Sequence, residues 1–127
     1  MAERPVDTPD GRFPAALYAA GEEPDPRFTL ANERTFLAWL RTSLAMTAGG
    51  VALEALGLGL QPQLRLAASL LLIAAGIATA VQAWRGWLRT ERSLRLDRPL
   101  PAPTLALPAA VALVAVGALV LLAIVLR

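Results

Sequence analysis

The chain has 127 residues, 56% hydrophobic and 6% aromatic, with a formal net charge of +2 and no cysteine, histidine or lysine. That inventory excludes disulfides, thiol chemistry, imidazole bases and the usual zinc and haem ligands, leaving carboxylates, arginines and hydroxyls. Long apolar blocks in so short a chain match a hydrocarbon core about 30 Å thick, so the fold class is an all-α membrane protein.

Residues 1–26 carry six acids (Glu3, Asp7, Asp10, Glu22, Glu23, Asp25) against Arg4 and Arg12, and are broken by five prolines. Residues 1–24 read as a flexible acidic tail, with a possible sticky spot at Phe13 to Tyr18. The charged start runs into no apolar stretch of the kind a signal peptide needs. Asp25-Pro26 is a good helix start, with Thr29 as the competing cap. From there a helix is predicted without a breaker to about Leu60, amphipathic at first and apolar from Ser43 apart from Glu54. Gln61-Pro62-Gln63 is the first strong turn.

A second span is predicted over residues 64–84, then a basic connector over 85–103, then a third span over 104–126 with Pro108 in its first turns. The membrane domain is thus residues 25–127, with spans of about 43–60, 64–84 and 104–126. Small residues recur along each span, among them Ala45, Gly49, Ala52 and Gly59, then Ala68, Gly76 and Ala80, then Ala110, Gly117 and Ala118. They let helix backbones approach in lipid. Arg27, Arg34 and Arg41 precede span one, Arg85, Arg89, Arg92, Arg95 and Arg98 follow span two, and the first loop offers only Arg65. The positive-inside rule then puts the N-terminus and the second connector in the cytoplasm, and Arg127 outside.

Three groups of charges stand out. On a helical wheel Arg34 and Arg41 share a side, while Glu33 falls among Phe36, Leu37, Leu40 and Leu44. A carboxylate there is expected to meet Arg85, Arg89 or Arg92 of the connector, or else to sit at the surface where the helix dipole favours it. Glu54 lies inside span one, and a hairpin would bring Arg65 towards it. That pair either locks the hairpin, leaves a protonated carboxyl against a neighbouring helix, or forms a proton or cation site. Arg85, Arg89 and Arg92 form one stripe continuing span two. They serve topology and anionic-lipid contact, or form a basic mouth for phosphate-rich anions with Arg27, Arg34 and Arg41. Without a soluble basic domain or stacking aromatics, no nucleic-acid partner is expected.

From Pro24 through Thr42, centred on Asn32-Glu33-Arg34-Thr35-Phe36-Leu37-Ala38-Trp39, the chain strongly resembles the YidH-like family of small bacterial inner-membrane proteins, domain-of-unknown-function family 202. The likeness continues through Gly49 to Glu54 and returns at Trp87-Leu88-Arg89-Thr90-Glu91-Arg92, covering residues 21–127 but not the acidic tail. It implies a three-span protein of the bacterial cytoplasmic membrane without an established biochemical role. The same core is similar to the membrane domain of the eukaryotic vacuolar transporter chaperone, which conducts polyphosphate through an oligomeric pore. There the basic residues matching Arg27 and Arg34 lie at the cytosolic entrance. The position of Arg41 does not match, and this chain has no polymerase or phosphate-sensing domain.

Taken together, the residues predict a non-enzymatic protein without a cofactor or metal. It is expected to act as a membrane subunit or scaffold, as a homo-oligomer or with a membrane partner, in contact with anionic lipids. The alternative is a small pore or transporter subunit for phosphate-rich anions.

Overall fold

The computed structural model describes residues 11–127. Its elements are α1 (Ala15–Tyr18), α2 (Pro26–Ala55), α3 (Pro62–Arg95) and α4 (Ala106–Val125), with no strand among the described residues. The last three are long and apolar enough to cross a membrane. The protein is an all-α membrane protein of three spanning helices, the first running unbroken from its amphipathic start.

α2 and α3 begin by the same device. The Asp25 carboxylate accepts from the Arg27 amide at 2.9 Å and the Gln61 side chain from the Leu64 amide at 2.7 Å. Pro26 and Pro62 follow the caps, where a missing amide proton costs nothing. The far ends differ from expectation. α2 stops at Ala55, short of Leu60, because Gly57 turns to a left-handed φ of 58° just past the Leu56 cap.

α3 instead overruns Trp84 and carries the arginines on as helix to Arg95. Residues 85–95 are mostly good helix formers, and the prolines begin only at Pro99. The closure is a paired one: the Arg98 amide donates to the Ser93 carbonyl at 2.9 Å and the Asp97 amide to Leu94 at 3.4 Å. It holds Asp97 at a φ of 52°.

At 1.5 Å per residue, the 34 residues of α3 and the 30 of α2 exceed a hydrocarbon core of about 30 Å, while the 20 of α4 just match it. α2 and α3 therefore project beyond the bilayer together, at the arginine-rich end.

α3 is the spine. α2 lies along it on one side and α4 on another, and α4 makes no backbone contact with α2. Met46, Ala68, Leu72 and Val116 form the buried core, one or more from each helix. The α2–α3 seam repeats one motif in both helices. The Ser43 hydroxyl donates to the Gly76 carbonyl, and the Ser69 hydroxyl to the Gly50 carbonyl, each at 2.6 Å.

A side chain on Gly50 would meet the Ser69 carbonyl at 2.8 Å, and one on Gly76 the Ser43 carbonyl at 2.9 Å. Both glycines are thus required for the close approach. Of the small residues singled out in the sequence, Ala68 and Gly76 serve this packing. Ala45, Ala110, Gly117 and Ala118 are exposed, and Gly59 lies in the α2–α3 turn.

Candidate functional site

The polar groups concentrate at the arginine-rich end, where α2, α3 and the 99–105 segment meet. Asn32 faces α3 on the same side of α2 as Ser43 and Gly50. Its amide donates to Glu91 Oε1 at 3.1 Å and to the Trp87 carbonyl at 3.2 Å. Thr29 donates to Glu91 Oε2 at 3.4 Å. Glu91 is 1% exposed and makes no ion pair among the described residues. Its carboxyl is held by an amide and a hydroxyl, which tie the projecting parts of α2 and α3 together.

Of the two placements expected for Glu33, contact with the arginines after span two or a surface position, it takes the second. It is exposed on α2 and pairs with none of Arg85, Arg89 or Arg92. The reason is rotational: one residue is 100° of helix, so with Asn32 turned inward Glu33 is carried off the seam. The buried acid belongs to α3. Asn32 and Glu91 both lie in the stretches that carry the family resemblance, but no charge pattern singles either out as a site residue. Their signal was positional, since Asn32 lies in the Ser43–Gly50 row and Glu91 about four turns beyond Gly76.

A second cluster surrounds Arg95, whose side chain is 4% exposed. Its Nη2 donates to the Tyr18 carbonyl and its Nε to the Ala20 carbonyl, both at 2.8 Å, and its Nη1 reaches Glu23 at 3.4 Å. The Glu22 amide donates back to the Arg95 carbonyl at 3.0 Å. Gly21 passes so close to that carbonyl, at a φ of 55°, that no other residue fits without movement. Arg12 pairs with Glu23 and lies 4.2 Å over the Tyr18 ring.

The Arg12 hydrogen bond, reinforced by Arg95, holds the Glu23 carboxyl below its usual value against an opposing burial. Residues 11–24, expected within a flexible tail, are therefore a strap latched to the end of α3; the rest of that tail, residues 1–10, lies outside the described residues. Arginine-to-carbonyl latching leaves no trace in composition, which explains why it was not foreseen.

The remaining predicted residues divide cleanly. Glu54 and Arg65 are brought together at 3.3 Å, and Arg65 also donates to the Leu58 carbonyl at 3.0 Å, bracing the α2–α3 turn. Arg27 pairs with Asp25 at the α2 cap. Arg34, Arg41, Arg85, Arg89 and Arg92 are exposed and form no ion pair among the described residues.

A row of rings lies on the apolar side of both clusters, around Trp84 and Trp87 of α3. Trp84 and Trp87 stack at 5.2 Å, Phe36 lies edge-on to Trp84 at 6.2 Å, and Phe13 of the strap stacks on Trp84 at 6.4 Å. Amphipathic rings favour the headgroup level of a bilayer. Beside them a cleft of about 220 Å³ opens between α2, α3 and the 101–105 segment. Trp39, Trp87 and Phe36 wall it, Gly86 leaves room in it, and Arg89 and Thr35 supply polar groups.

Three apolar helices under a basic, ring-belted head define a small integral membrane protein. A family model described as Domain of unknown function (DUF202) matches residues 27–93, and the chain belongs to that family. The matched stretch includes both Asn32 and Glu91, and excludes α1 and α4. The chain is similar to inner membrane protein YidH of Escherichia coli (strain K12), 46% identical over 82 residues, covering 64% of this chain and 71% of that protein. It is also similar to uncharacterized protein Rv2272 of Mycobacterium tuberculosis (strain H37Rv), 44% identical over 84 residues, covering 65% of this chain and 69% of that one. No solved structure matches.

Proposed function

We propose that the chain is a non-enzymatic subunit of the cytoplasmic (inner) membrane that assembles with copies of itself through the outward face of α2. The arginine-rich end and the N-terminus lie in the cytoplasm and Arg127 outside, as arginine placement favours. The observation that carries this reading is a seven-residue repeat on the side of α2 turned away from α3. Leu30, Leu37, Leu44 and Val51 form one row of it, and Ala31, Ala38, Ala45 and Ala52 a second about 100° round the helix, with Arg34, Arg41 and Ala48 between the two. All are exposed except Ala52, which is half-buried, and no element of the chain covers them.

Lipid tails ask for no particular period. A repeat of seven whose apolar row is joined four residues on by small residues, Leu44 by Ala48 and Val51 by Ala55, is what a left-handed helix–helix seam asks for. Glu33 flanks the leucine row, and Arg34 and Arg41 lie along it, so an acid of one copy can meet an arginine of the next. The supporting experiment is the mass of the purified protein in detergent or nanodiscs. An oligomer that falls to monomer on Leu37→Arg, with helicity kept, agrees with the reading; a monomer at all concentrations refutes it.

A second reading has its own support. Arg27, Arg34 and Arg41 also repeat every seven residues on this exposed side. A ring of α2 helices would place three tiers of guanidinium at its mouth, suited to phosphate-rich anions. Polyphosphate flux into liposomes that Arg34→Ala abolishes would support a pore. Vesicles no leakier than empty ones, with insertion confirmed, would remove it.

A further inference from the structure

We propose that the cleft beside Trp39 and Trp87 binds one anionic phospholipid, its phosphate on Arg89 and its chains leaving towards the bilayer between α2 and α4. Position is the first argument. α4 is only just long enough to span, so Leu105, the residue before it and part of the cleft wall, marks the edge of the hydrocarbon. The cleft thus sits at the depth of lipid phosphates, among the rings that mark the same level.

Shape is the second. The cleft is half open rather than closed on all sides, and α2 and the start of α4 flank it on α3 without backbone contact between the two helices. Aromatic walls suit the glycerol and first methylenes of a lipid.

Charge is the third. Arg89 contributes to the wall and spends its charge on no acid among the described residues, while Thr90 and Thr104 offer hydroxyls around it. No acid lines the cleft, and Glu91, next to Thr90, is turned inward and already held by Asn32 and Thr29. A guanidinium at the mouth of an apolar slot matches a phosphodiester carrying one net negative charge. The proposal does not depend on the oligomer.

The test is native mass spectrometry of the delipidated full chain, titrated separately with phosphatidylglycerol, phosphatidylethanolamine and short-chain polyphosphate. Wild-type protein should retain one phosphatidylglycerol more tightly than phosphatidylethanolamine. Arg89→Gln should weaken that binding about fivefold, the effect of one basic residue at an anionic surface. Gly86→Leu should weaken it as much or more by filling the slot. A Cβ at Gly86 would meet nothing within 4 Å, so the helix backbone there accepts a side chain, and helicity by circular dichroism checks that the variant is folded. Arg92→Gln, outside the cleft, should bind as wild type does.

Equal losses in Arg89→Gln and Arg92→Gln would mean general surface attraction and overturn the site. Equal retention of the two lipids would overturn its charge recognition. Polyphosphate binding that Gly86→Leu removes, with no phosphatidylglycerol retained, would assign the cleft to a soluble anion instead.

Discussion

The two sides of α2 are built on opposite rules. The inner side is settled by contacts: Asn32 on Glu91, Ser43 on the Gly76 carbonyl, and Gly50 under Ser69. The outer side carries Leu37, Leu44 and Ala45 in regular rows, with Glu33, Arg34 and Arg41 unpaired among the described residues. Within lipid no hydrophobic effect joins helices, so the inner side uses hydrogen bonds and close backbone approach. The difference teaches that polar residues of α2 which point inward hold the helices together, while the charges which point outward take no ion pair among the described residues.

The sharpest way to break the inner side is Gly76→Val. The new side chain would strike Ser43 and Thr47 across the seam. Forcing the helices apart should destabilise the subunit by about 3 kcal/mol, read by unfolding in mixed micelles. Ala48→Val, on the exposed outer side, should leave subunit stability nearly unchanged and act on assembly alone.

Arg95→Ala should come next. It removes two hydrogen bonds to strap carbonyls and one to Glu23, at a cost of about 2 kcal/mol to strap docking. The strap should become open to limited proteolysis while the three spanning helices stay protected. Asp97→Gly should stabilise the end of α3 by about 1 kcal/mol, since glycine takes the left-handed φ without a side-chain penalty.

The smallest effect concerns pH. Glu23 is held below its ordinary value of 4.5, so its contribution to docking is fully present above that value. It is lost as pH falls through the depressed folded value. Strap protection measured by hydrogen exchange should therefore weaken on acidification in wild type and be less pH-dependent in Glu23→Gln.

Periodicity and breakers made the three spans legible in the sequence, because a membrane leaves helices few other options. The Asp25-Pro26 start was equally readable, since capping is a local matter. Where α3 ends was not, because hydropathy stops at the membrane while the helix continues through good helix-forming arginines. The rotation of α2 decided the rest. Arg34 and Arg41 were visible as charges, but which of Asn32 and Glu33 faces α3 depended on the Ser43–Gly76 and Gly50–Ser69 contacts, which only pairing two helices fixes. Arg95 looked like one more topology arginine until the strap carbonyls came to it.

Contact between the outer side of α2 and another copy is directly measurable, because the chain has no cysteine of its own. Single cysteines at Leu37 and Leu44 on α2, and at Val114 on the exposed side of α4, can be oxidised in native membranes at low expression. Leu37→Cys and Leu44→Cys should form disulfide-linked dimers readily and Val114→Cys should not, because bridging needs Cα atoms within about 7 Å. Efficient linkage through Val114→Cys with none through the two α2 positions would contradict the account.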